Sequence, residues 1–188
     1  MSSSLFKSFF LYFLVLFILT FFITCFYTPI LSFSSPSFNG EFIWPLPNYH
    51  SISSYFGYRS SPTSGASTYH SGIDIPAPEG TDILSVHSGS VTFASWGAGG
   101  GYTLVVTQDN ISVSYCHISP IYLVHLGDTI TAGQIISHVG PKNVYGISNN
   151  PYHDSNGNPT NGATTGCHLH LTIKKDGKAV NPLDYFSI

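Results

Sequence analysis

The chain has 188 residues, enough for one domain plus an appendage. Its net charge is -3 and only 8% of its residues are charged; no nucleic acid is expected as a partner, because a nucleic-acid binder needs a basic stripe to neutralise phosphates. With 18 Gly and 12 Pro it reads as many short strands and turns rather than a helical bundle.

The first element is apolar. Residues 8–27, after Lys7, carry no charge, and a run of about 20 such residues suits a membrane-spanning helix better than the roughly 7–15 of a signal-peptide core. Residues 1–27 therefore read as a single-pass membrane anchor, with everything after it outside the cytoplasm. Cleavage at Ser32-Phe33-Ser34 would instead give a secreted protein. Cys25, preceded by Phe22-Ile23-Thr24, makes a poor lipid-attachment signal and reads as apolar filler. Residues 28–41, rich in Ser, Pro and Phe, read as a linker.

Residues 42–188 read as one all-β domain, a mainly antiparallel sheet or sandwich. Short apolar runs cover residues 82–96, 102–108, 111–119, 133–140 and 168–186, divided by Gly, Pro, Asn and Asp. Asp109-Asn110 and Asp176-Gly177 are hairpin signals. One stretch, residues 143–166, is long, polar and turn-rich, and loops of that length in compact domains are usually functional. Its Asp154-x-Asn156-x-Asn158 resembles the start of a calcium loop, but Pro159 stands where that loop wants Gly and no acidic residue closes it.

Two stretches carry chemistry. In HSGIDIPAPEGTDI (residues 70–83), His70 and Asp74 are four apart, an even spacing that puts both on one face of an extended backbone. In CHLHLTI (residues 167–173), His168 and His170 likewise share a face. Zinc accepts imidazole nitrogen and carboxylate oxygen, and a catalytic site keeps three protein ligands with one position open. His70, Asp74 and one histidine of the pair supply that count.

Those stretches, with SYCHIS (114–119), GDTITAGQIISHVG (127–140), TTGCHLHL (164–171) and the entry segment WPLPNYHSISSYFGYR (44–59), resemble the LytM/lysostaphin-type zinc endopeptidases. The resemblance implies His70, Asp74 and His170 as zinc ligands, with His117 and His168 as catalytic residues lining the reaction centre. It also implies a β-fold with long loops around a groove and hydrolysis of peptide bonds in bacterial peptidoglycan. The sequence departs from that pattern in three places. Cysteine precedes both His117 and His168, and Leu171-Thr172 stands where an aromatic and then an acidic residue are common, which puts the support of the metal in question.

If His117 and His168 face one way on neighbouring strands, Cys116 and Cys167 should face the other way, as a disulfide or a close thiol pair. His87, His125 and His138 read as surface or structural, His50 lies in the entry segment, and His153 in the long loop can reach a groove rim. The rival to an enzyme is a catalytically silent regulator of the same fold. A closed structural zinc site is a third reading, and it would recruit a fourth Cys or His.

Overall fold

The computed structural model describes residues 42–63 and 65–186. The expected anchor and linker lie outside the described residues, and among the described residues no helix is long and apolar enough to cross a membrane.

The described chain forms eleven strands and two short 3-10 turns (Ala98–Gly100 and Pro182–Tyr185). The strands are β1 (Gly57–Tyr58), β2 (Tyr69–His70), β3 (Ile73–Pro76), β4 (Asp82–Leu84), β5 (Gly89–Trp96) and β6 (Tyr102–Gln108). They continue with β7 (Ile111–Cys116), β8 (Thr129–Ile130), β9 (Ile135–His138), β10 (His168–Lys175) and β11 (Lys178–Val180). All their pairings are antiparallel. The main sheet runs β11-β10-β7-β6-β5-β8, with β3 also on β10, and two-stranded ribbons β1-β2 and β4-β9 stand beside it. The expected all-β antiparallel domain is what forms.

Alternation builds the core. Leu169, Leu171 and Ile173 of β10, Val113 and Tyr115 of β7 and Leu104 and Val106 of β6 point to one face and are fully buried. Ile83 of β4 and Ile136 of β9 close the same cluster from the ribbon. Both hairpin signals form turns. Asp176 and Gly177 have φ of 51° and 74°, the two left-handed residues that a tight hairpin matching strand twist requires. Residues 82–96, read as one run, divide into β4 and β5 at a turn in which Ser85 and His87 are buried.

The long loop is ordered by its own polar groups. Asp154 accepts from the backbone N–H of Asn156 and Asn158, each at 3.0 Å, and pairs with Lys142 at 3.2 Å. The bond from Asn158, with those from Lys142 and Asn156, holds its carboxyl well below the usual range. The calcium-like spacing is thus a turn closed on its own amides.

Tyr115 joins the layers: its buried hydroxyl accepts the Val86 N–H at 2.7 Å. Tyr115→Phe leaves that amide without its partner, so urea unfolding should show a loss of about 1–3 kcal/mol.

Candidate metal centre

On β10, His168 and His170 leave the sheet on the face opposite Leu169 and Leu171. β3 lies beside it with Asp74 directly across from His170. His70 ends β2 and Asp74 lies in β3, so the two do not share one extended run as their spacing suggested. The Ser71-Gly72 bend between them crosses so close to β10 that a Cβ at Gly72 would stand 2.2 Å from the Leu171 carbonyl oxygen. Glycine is what lets His70 fold back over Asp74.

Three atoms then converge. Asp74 Oδ1 is 2.8 Å from His170 Nδ1 and 3.1 Å from His70 Nε2, and the two nitrogens are 2.9 Å apart. The far side of each ring decides what these nitrogens carry. His70 Nδ1 meets the Tyr55 carbonyl oxygen at 2.8 Å, an acceptor only, so the proton sits there and Nε2 presents its lone pair. His170 Nε2 lies 2.9 Å from the Thr172 hydroxyl, which can accept its proton and so leave the Nδ1 lone pair facing inward. Two lone pairs and a carboxylate oxygen at such separations repel one another unless a proton or a metal cation lies among them. His70, Asp74 and His170 therefore fit a metal ion, and nitrogen-nitrogen-oxygen is a donor set that zinc accepts.

Burial pushes the Asp74 carboxyl upward, but when protons rather than a metal ion sit on the facing nitrogens, hydrogen bonds from His168, His170 and His70 outweigh it and hold the group well below the usual range. Its other oxygen is occupied: Arg59 Nη1 donates to Oδ2 at 3.1 Å and also to the Ser54 hydroxyl. Only Oδ1 is turned to the centre.

His117 reaches the same place by a strained route. Strand alternation after Tyr115 and Cys116 would send it into the core, but its φ of 57° reverses the direction. Its N–H donates to Gly100 O at 2.7 Å, its carbonyl accepts from Gly140 at 2.9 Å, and Nδ1 donates to Asn161 O at 2.6 Å. Burial, reinforced by His168 and His170, pushes its imidazole down to about 3. His168 Nδ1 donates to Gly166 O at 2.9 Å, and its ring centroid lies 4.7 Å from that of His117. All five expected site residues are brought together.

The cysteine expectation is corrected. Cys116 pairs in register with His170, which puts both side chains on one face, and both cysteines are free thiols. The left-handed turn at His117 explains the difference, since Cys116 already faces the site and His117 is bent back to join it. Cys167 precedes the start of β10 and lines the cavity beside His168. Burial raises the Cys116 thiol to about 11, and its sulfur is not among the ligand atoms that converge.

The remaining histidines stand apart. His87 is buried against Phe42, His138 meets Asp82 at 3.2 Å, His50 stacks on Trp44 and His125 is exposed. His153 pairs with Pro159 and lines neither cavity at the site.

Of three supporting residues, Thr172 stood out in the sequence as a departure that put support of the metal in question, and alternation places it two residues beyond His170 on one face. Arg59 and Asn161 were not foreseen, since neither the entry segment nor the loop carries a local signal of their role.

Thr172→Val should weaken zinc binding about 10–100-fold in a competition titration, while Asp74→Ala or His170→Ala should abolish it. Acid stability is a second readout. The unfolded His117 takes a proton below about 6.5 and the folded one only near 3, so its contribution is complete above 6.5 and is lost as pH falls through 3. For metal-free protein between pH 6 and 4, His117→Gln should flatten the dependence of unfolding free energy on pH by about one proton.

The catalytic domain of the antimicrobial peptidase lysostaphin from Staphylococcus simulans is 26% identical, with a TM-score of 0.57 over 74% of this chain and 93% of that one. The Neisseria meningitidis DD-carboxypeptidase/endopeptidase Mpg is 29% identical over 136 residues, 72% of this chain and 27% of its own length. The Escherichia coli murein hydrolase activator EnvC is 30% identical over 111 residues, 59% of this chain and 22% of its own. The chain thus spans about a quarter of the curated relatives' length. Residues 68–182, more than half of the chain, match Peptidase family M23, and the chain belongs to that family.

Proposed function

We propose that the protein is a zinc-dependent endopeptidase that hydrolyses peptide bonds in the cross-links or stem peptides of bacterial peptidoglycan. The observation that carries this reading is the completeness of the centre. Three ligand atoms converge with no fourth among the described residues, and two more imidazoles stand beside them with their Nδ1–H groups tied to carbonyls. Zinc at His70, Asp74 and His170 would supply Lewis-acid activation of a peptide carbonyl and a water. With Nδ1 of both rings on carbonyls, Nε2 is the working atom of His117 and of His168, the latter 3.5 Å from Asp74 Oδ1, so between them they accept a proton from the water and donate one to the leaving amine. No glutamate is needed for either step.

The name of the Neisseria relative, a DD-carboxypeptidase/endopeptidase, supports peptide hydrolysis, the word murein in the name of the Escherichia coli relative supports a cell-wall setting, and the uncharged segment of residues 8–27 supports a domain held outside the cytoplasm at the membrane. The other reading, a silent regulator, has support in the name of the Escherichia coli relative. A regulator has no need of an intact ligand set, however, and here every ligand is present and oriented. A closed structural site fits less well, because among the described residues no Cys or further His joins the three converging ligand atoms.

Purified peptidoglycan incubated with the zinc-loaded protein should release new amino termini, and a chelator should stop the release. Asp74→Ala and His170→Ala should abolish it. His117→Ala or His168→Ala should lower kcat by about 10²–10⁴-fold with zinc still bound. If wild type binds zinc and is as inert as these variants, the enzyme reading falls.

A further inference from the structure

The centre lies between two cavities. One, of about 530 Å³, opens beside Pro76, Cys167 and His168. The other, of about 360 Å³, opens beside Tyr69, Thr172 and Lys174. Arg59, His117, Ala163 and His170 line both, so one extended chain crossing the centre would occupy each.

Charge is unevenly placed along that path. Among the described residues, Asp74 is the one acidic side chain that lines either cavity, and it is engaged by Arg59 and three imidazoles. Arg59 is committed to Asp74 in turn. Lys174 is different. Two strand repeats beyond His170, it shares that residue's face, with Thr172 between them. It is exposed, lines the second cavity and forms no ion pair among the described residues. Lys142, by contrast, is held by Asp154 at 3.2 Å.

We infer that Lys174 anchors a carboxylate-binding subsite, so that the preferred substrate carries a carboxylate on the half that lies along β10 beyond the metal centre. From His170 to Lys174 the strand rises roughly 14 Å, about four residues of an extended peptide, and the flexible lysine stem lets the ammonium meet a carboxylate anywhere near the end of that span. No acidic wall competes for it. The identity of the ligand as a peptide rests on the endopeptidase reading; the charge preference rests on the cavity.

The test separates the two. A fluorescent peptidoglycan stem peptide and its fully amidated analogue are titrated into the full-length zinc-loaded protein carrying His168→Ala, so that turnover does not consume the probe. The acidic form should bind about three- to five-fold more tightly, the range for a partly solvated charge pair. Adding Lys174→Gln should bring the ratio to about one, and Lys174→Arg should keep it. Equal binding of the two peptides, or a preference that survives Lys174→Gln, overturns the subsite. Wild-type protein is assayed in parallel on both peptides. If it cleaves neither while the charge preference is present and depends on Lys174, the subsite stands and the endopeptidase reading falls.

Discussion

Pairing of β3 with β10 is the constraint on which the site depends. It sets Asp74 opposite His170 across 96 residues of sequence and brings carboxylate and imidazole to 2.8 Å. The chemistry of those groups works against the pairing, since like-facing lone pairs and a half-buried charge repel and cost desolvation. What holds the register is the other face of the same strand. Leu169, Leu171 and Ile173 are fully buried, and each such side chain contributes about 1.5–3 kcal/mol. A slip of one residue would put both histidines in the core and those three side chains in water. The apolar face thus fixes where the polar face stands.

The second constraint is the left-handed backbone at His117. A non-glycine residue there carries strain of about 1–3 kcal/mol and persists only where its surroundings over-determine it. Here they do. The N–H, the carbonyl and the ring of His117 are bonded to Gly100, Gly140 and Asn161. Asn161 is held in its own turn, its side chain accepting from Tyr102 N at 2.9 Å and donating to Ile118 O at 3.0 Å. Gly101, at φ 62°, passes so close that a Cβ would lie 2.3 Å from the Asn161 carbonyl oxygen. The long loop therefore acts on the site through Asn161 behind His117, through Gly166 behind His168 and through Ala163, which lines both cavities.

How much of this the sequence carried depends on whether the signal was periodic. The alternation in HLHLTI was legible because period two is a direct consequence of strand geometry, and so was the hairpin at Asp176-Gly177. The five site residues were legible through ordered motifs and not through spacing: His70 and Asp74 do not share a strand. Their even separation had the right outcome for a reason that does not apply. The placement of Cys116 was misjudged because a single left-handed residue cancels alternation, and no residue type at position 117 announced it. Arg59 and Asn161 were invisible because each acts across the fold, over 15 and 44 residues, on a partner that no local pattern links to it.

The departure at Thr172 changes the electrostatics more than the geometry. Its hydroxyl stands 2.9 Å from His170 Nε2, where it can accept the ring proton and so fix the ring as an acidic residue at that position could. A hydroxyl, however, brings no negative charge. A divalent ion at the centre would then be offset by Asp74 alone, leaving net positive charge beside an already protonated Arg59. Two residues further along the same face stands Lys174, with no carboxylate between. Screening over about 8 Å in physiological salt weakens this field in open water, but less inside a cavity walled by protein. Replacing a charged support with a neutral one therefore keeps the metal ligand in place and leaves the groove cationic, a condition that favours an anionic peptide over a neutral one.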